Sequence, residues 1–195
     1  MNNKYDIINM LEKTGGLLKG HFELSSGFHS SQYFQCAKLL QYPDLAQTAG
    51  SELAKLFECQ IDVVVSPALG GLIIGHETAR ALNKKFIFAE RKDGVLCLRR
   101  GFEISKDEKV LIIEDVITTA KSALETAGLV QEFGGEIVGY GCIVDRSEGK
   151  TNLNIKSLIK MNAEVYDPAD CPLCEQGIES VKPGSRVLYC SQDKI

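Results

Sequence analysis

Residues 110–122, VLIIEDVITTAKS, combine an apolar run, two adjacent carboxylates and a hydroxyl-rich turn. A buried parallel strand reads as a continuous apolar run rich in β-branched residues, and ligands of open α/β sheets sit beyond the carboxyl ends of such strands. Glu114 and Asp115 fall at that end, where carboxylates can accept hydrogen bonds from the vicinal hydroxyls of a sugar. Thr118, Thr119 and Ser122, with the backbone amides of the turn, can donate to a phosphate held at a helix amino terminus. An acidic turn that merely caps the next helix would need less than this. A second concentration of charge lies upstream. Arg91, Lys92, Arg99 and Arg100 fall within ten residues and can focus an anionic substrate toward one cleft. Gly94 and Gly101 bracket a segment able to open and close as a lid, the alternative being a salt-bridged hairpin.

Alternating helices and strands must position these groups. Residues 5–13, from Tyr5 to Lys13, have helical spacing and stop at Gly15 and Gly16. Residues 17–40 are mixed and read as short strands. Pro43 suits a first helical turn, and Leu45, Ala49, Leu53 and Phe57 recur on one face. Strands are expected at 61–66, 86–89, 109–115 and 137–144, and helices from Gly70 to about Leu82 and after Ser122. In the latter, Ala123, Leu124, Ala127, Val130 and Phe133 are expected to line the buried face. This alternation implies a mainly parallel central sheet covered by helices on both faces. Beyond Lys150 the pattern weakens; a strand near 162–166, starting at Asn162, is plausible and the tail reads as irregular.

A chain of 195 residues with 44% hydrophobic residues fits one domain with an ordinary core. Its formal charge of −4 argues against a general nucleic-acid binder, which carries a basic excess. No apolar stretch approaches the ~20 residues of a membrane span. The start, MNNKYDIINMLEK, has charges within its apolar pattern and no uninterrupted signal-peptide core, so a cytoplasmic protein is expected, without nucleic-acid or membrane partners.

In that compartment the seven cysteines are expected to be reduced. Cys36, Cys59, Cys97 and Cys142 read as small hydrophobes among apolar or small neighbours. Cys171 and Cys174, in CPLC, leave three readings open: a tight structural turn, a metal site completed by a distant residue or a second subunit, and a redox pair. Only Cys190 lies near them, with His21, His29 and His76 far upstream. No residue is assigned as a metal ligand on this reading.

The run at 110–122 resembles the substrate-binding motif of the type I phosphoribosyltransferases, which use 5-phosphoribosyl 1-diphosphate. Three further places narrow the resemblance to the branch that acts on orotate. GHFELSSGFHSSQYFQCAKLL (20–40) is similar to an amino-terminal hood over the base. VVVSPALGG (63–71) resembles the diphosphate loop, and ERKDGVLCLRRGF (90–102) a short form of the mobile catalytic loop. VDRSEG (144–149) matches the position where an arginine contacts orotate. The tail CPLCEQGIESVKPGSR looks like that of the bacterial subgroup with the short loop.

The resemblance implies an α/β fold of the type I phosphoribosyltransferase kind, with a hood at about 15–40, a core at about 43–150 and an irregular tail. It implies that the chain converts orotate to orotidine 5-phosphate in pyrimidine biosynthesis. Phosphoribosyl diphosphate would be held by Glu114, Asp115, Val116, Ile117, Thr118, Thr119, Ala120, Lys121 and Ser122, and orotate by Thr118 and Arg146, with Asp145 orienting the arginine. Arg91, Lys92, Arg99 and Arg100 would supply catalytic charge from the loop, reaching the neighbouring subunit of a homodimer with shared active sites. Mg2+ would be bound mainly through the diphosphate.

Two positions depart from the pattern: Ala120 stands where glycine is usual and Lys121 where glycine or a small hydroxyl residue is usual. Alanine strains the loop if residue 120 needs a positive φ; if not, Lys121 could add a charge near the 5-phosphate. A third departure is Ser25, where many relatives carry a hood lysine. The alternatives are a non-catalytic phosphoribosyl-diphosphate sensor on the same fold and a transferase for another base. The hood and Arg146 favour the orotate enzyme, because a sensor needs no orotate pocket.

Overall fold

A strand that is apolar on both faces must lie inside a sheet covered on both sides, and this one does. In the computed structural model, which describes residues 6–24, 26–161 and 164–182, Val110, Leu111, Ile112 and Ile113 are essentially inaccessible. They belong to β6 (Lys109–Ile117), an interior strand of a six-stranded sheet. Its companions are β3 (Val63–Pro67), β4 (Lys85–Lys92), β5 (Val95–Leu98), β7 (Glu136–Asp145) and β8 (Ile155–Lys160), in the order β5-β4-β3-β6-β7-β8. All neighbours pair in parallel except β4 and β5, which form an antiparallel hairpin.

Strand alternation sends β6 side chains to two apolar layers. Val110 and Ile112 pack with Ala123, Ala127 and Val130 of α5 (Lys121–Glu132). Leu111 and Ile113 pack with Ala49 and Leu53 of α3 (Pro43–Ala54) and Ile74 of α4 (Gly71–Leu82). Each fully buried Leu, Ile or Val contributes about 1.5–3 kcal/mol relative to exposure, so this strand anchors the domain.

Three expectations need correction. Phe57 is buried but follows the end of α3. Leu124 and Phe133 are 48% and 44% exposed, because Ala123, Ala127 and Val130 fill the sheet-facing stripe and Thr126 joins it. The buried Thr126 hydroxyl donates to the Ser122 carbonyl at 2.8 Å, which lets a polar residue lie there. Beyond Lys150 the chain is more regular than its pattern suggests: β8 is an edge strand of the main sheet. Its exposed Lys156 and Lys160, which share one face, are what an edge allows.

A smaller sheet forms the hood. The first helix, α1 (Ile7–Thr14), ends at Gly15, whose φ of 70° is the left-handed cap that favours glycine. Next come β1 (Leu17–Glu23) and β2 (His29–Phe34), an antiparallel pair, and then α2 (Ala37–Leu40). The late strand β9 (Val165–Tyr166) pairs with the free edge of β2. On the opposite edge Val181 bridges Phe22, with the Glu23 amide donating to the Val181 carbonyl at 2.9 Å. Between these contacts lies α6 (Pro172–Glu175). Tyr5, Ser25, Asn162 and Cys190 lie outside the described residues.

Candidate functional site

Glu114 and Asp115 sit near the carboxyl end of β6, whose pairing with β7 continues through Ile117, two residues beyond the expected end. The acids are therefore held by the sheet. Each meets a different loop. Glu114 is approached by the Ser122 hydroxyl at the start of α5, whereas a Cβ built on Gly70 would stand 2.4 Å from Asp115 Oδ1. Gly70 ends the loop after β3 and has helical backbone angles, so its lack of a side chain serves close approach.

The acids have no ion-pair partner among the described residues. Burial, reinforced by the neighbouring Asp115 charge and partly opposed by Ser122, pushes the Glu114 carboxyl up to about 7. Burial also raises the Asp115 carboxyl from its ordinary value. Such a pair is poised to receive hydroxyl donors or a cation.

The turn after β6 presents Thr118 and Thr119 to solvent. Ala120 lies at φ 59°, ψ 16°, so the position does require a positive φ and alanine is strained there, at roughly 1–2 kcal/mol. Its methyl group is 3% exposed and packs in the α5 layer, which offsets part of that cost. Lys121 is exposed. No side chain caps α5, a twelve-residue helix. Its first amides carry the partial positive charge that suits a phosphate.

Arg146 follows β7, and its amide donates to the Ile117 carbonyl at 2.8 Å, which brings it beside the Thr118 turn. Its guanidinium carbon lies 5.6 Å from the ring centroid of Phe34 in the hood. Burial works against its charge, and its Nε is buried without a hydrogen-bond partner. Gln32 Oε1, also on β2, is likewise buried and unpartnered. Asp145 does not orient Arg146 by an ion pair: its Oδ1 accepts from the Ser147 amide at 2.9 Å, closing the turn that follows.

The four basic residues lie on or beside the β4–β5 hairpin. Arg91 pairs with Glu125 of α5, while Arg99 and Arg100 face Glu90 at 3.6 Å and 3.1 Å. Gly94 forms the hairpin tip with φ 83°, and Gly101, at φ 73°, follows its far end. Among the described residues no ion pair joins these cations to Glu114 or Asp115.

A family model described as a phosphoribosyl transferase domain matches residues 37–171. The orotate phosphoribosyltransferase of Caldicellulosiruptor saccharolyticus is 54% identical over 187 residues, spanning 94% of this chain and 98% of that one. The enzyme of the same name from Desulforamulus reducens is 49% identical over 189 residues, 95% of this chain and 99% of that one. Among solved structures, orotate phosphoribosyltransferase from Aeropyrum pernix has a TM-score of 0.69 at 23% identity, covering 80% of this chain and 94% of that one, a likeness of fold.

Two outcomes follow from the geometry of the acids. Gly70→Ala should keep the fold, since an alanine suits those backbone angles, yet displace Asp115 and lower turnover at least ~10-fold; unchanged turnover in a folded variant would refute the close-approach argument. The raised Glu114 carboxyl means that the folded state binds more protons than the unfolded state between about 4.5 and 7. Stability contributed by its neutral form is therefore present below that window and lost as pH rises through it. Glu114→Gln should gain stability relative to the parent at pH 8 and not at pH 4, measured by denaturant midpoint. A pH-independent difference would contradict the assignment.

Proposed function

This chain belongs to the phosphoribosyl transferase family, in its orotate phosphoribosyltransferase branch, and we propose a division of labour among its residues for that reaction. Glu114 and Asp115 accept the ribose hydroxyls of phosphoribosyl diphosphate. The turn Val116, Ile117, Thr118, Thr119, Ala120, Lys121 and Ser122 encloses the 5-phosphate, its charge met by the first amides of α5. Arg146, with Thr118 beside it, reads orotate.

Arg146 carries this reading. A half-buried guanidinium with an unpaired Nε, stacked on an aromatic ring of the hood, lacks only a planar anionic partner. Orotate offers a carboxylate and ring oxygens, which suit a rigid array of donors.

Breaking the bond between the anomeric carbon and diphosphate develops positive charge on the ribose and negative charge on the leaving group. The two carboxylates can support the first, and cations of the hairpin the second. Desolvated acids without basic partners also fit a divalent ion arriving on the diphosphate, with Glu114 and Asp115 the carboxylates available to its hydration shell. Mg2+ bound there would neutralise charge on the departing diphosphate. Arg91, Lys92, Arg99 and Arg100 serve the neighbouring subunit's site in a homodimer, a reading supported by the lack, among the described residues, of any ion pair from them to Glu114 or Asp115. The location is cytoplasmic. No helix among the described residues is long and apolar enough to cross a membrane.

Arg146→Ala should cost on the order of 2–5 kcal/mol in orotate use by leaving the base's oxygens unpaired, while phosphoribosyl-diphosphate binding changes far less. Steady-state kinetics together with titration of the second substrate check this, and an equal loss for both overturns the role. A variant lacking the four hairpin cations and an Asp115→Ala variant should each be nearly inactive. Re-formed dimers from an equal mixture should recover about a quarter of parental activity, since about half are mixed and each has one intact site of two. No recovery, with subunit exchange demonstrated, would place the hairpin over its own site.

A further inference from the structure

Two histidines of the hood and the two cysteines of CPLC converge on one point. His21 and His29 face each other across the β1–β2 pair, with Nε2 of His21 2.8 Å from Nδ1 of His29. Cys171 Sγ lies 3.5 Å from His21 Nε2; Cys174 Sγ lies 3.8 Å from His21 Nε2 and 3.3 Å from His29 Nδ1. All four atoms lie within 4.8 Å of one another. We propose that these side chains form a structural Cys2His2 zinc site that ties the hood to the carboxy-terminal segment, a site outside the phosphoribosyl-transfer machinery.

The distances have the scale of a tetrahedron. Bonds of about 2.3 Å to sulfur and 2.0–2.1 Å to nitrogen give N–S edges of about 3.5–3.6 Å and an N–N edge of about 3.3 Å. The three N–S separations bracket that edge, and the imidazoles need part by only about half an ångström to admit the ion. Two thiolates and two neutral imidazoles suit zinc in charge and softness, and the set is closed, with no protein position left for substrate.

One ligand is already oriented. His21 Nδ1 lies 2.6 Å from the Ile178 carbonyl; a carbonyl only accepts, so Nδ1 is the donor there and Nε2 is the ring nitrogen turned to the cluster. That outer hydrogen bond is the usual support of a ligating histidine. The sulfurs are aligned locally: Cys171 precedes α6 with Pro172 at its first position, and Cys174 lies one turn later on the same side. His21, His29 and Cys171 are 3%, 9% and 1% exposed. Burying these polar groups together is costly without a partner that satisfies all of them. A three-stranded sheet with a small core gains most from such a crosslink.

The test uses the full chain. Protein purified without chelator, or dialysed after exposure to Zn2+, should hold about one zinc per chain by emission spectrometry. Co2+ in its place should give the intense visible bands of a tetrahedral site and thiolate-to-cobalt charge transfer. Cys174→Ser, the most exposed ligand, should lose both signatures with the main sheet's circular dichroism intact, and His29→Ala should lose them independently. Zinc far below one equivalent in the parent, octahedral cobalt spectra, or equal retention of zinc by the Cys171→Ser/Cys174→Ser variant would each overturn the proposal. So would recovery of the pair as a disulfide under conditions where free zinc is present.

Discussion

Desolvation of two adjacent carboxylates at the end of a buried strand is the constraint around which this molecule is organised. Water would hold both acids ionised at neutral pH, and the sheet withdraws much of it. The strand can impose this because its apolar residues are covered on both faces, which fixes the backbone that carries the acids. Gly70 brings the loop after β3 against one acid, and the first turn of α5 brings a hydroxyl toward the other. The folded chain thus holds destabilising groups that ligand hydroxyls and a cation can satisfy. This is the familiar exchange of stability for binding capacity at a site.

The hood solves a different problem. Orotate needs a pocket with an apolar wall and a directed cation, and neither the main sheet nor the hood supplies both. Arg146 comes from the end of β7 and Phe34 from β2, so under the proposed division of labour base recognition depends on how the hood is held over the core. The segment that follows β8 contacts both hood edges, with the histidine–cysteine cluster between those contacts.

Much of the core and the acid-turn motif was legible because their signals are local. The continuous apolar run at 110–113 predicts a doubly covered strand, and the structure buries every member of it. Thr118 and Arg146, nearly thirty residues apart, lie side by side because β6 and β7 are parallel neighbours, which strand alternation implies. Less could be read where the decisive partner is remote. Leu124 and Phe133 were expected inside because helical spacing defines a stripe without saying how wide a surface the sheet will cover. β8, IKSLIK, mixes Lys and Ser with its apolar residues in no clear period, so only its pairing with β7 identifies it. Gly94 could be a hinge or a hairpin tip on sequence grounds, and the β4–β5 register makes it the tip. In CPLC the partners of the cysteines lie 145 to 153 residues away, and no spacing rule spans that gap.

That separation also orders events during synthesis. His21 and Cys171 are 150 residues apart, which at ~5–20 residues per second places their emergence roughly 8–30 s apart. Through that interval β1 and β2 exist as an isolated hairpin, marginal in water, with neither edge yet covered by the segment that later pairs with it. Meanwhile the strands from β3 through β7 have been made and can pack by nearer contacts. The hood strands are thus made before the core strands and completed after them, and the nascent chain carries open strand edges until residues 165–181 fold back over them.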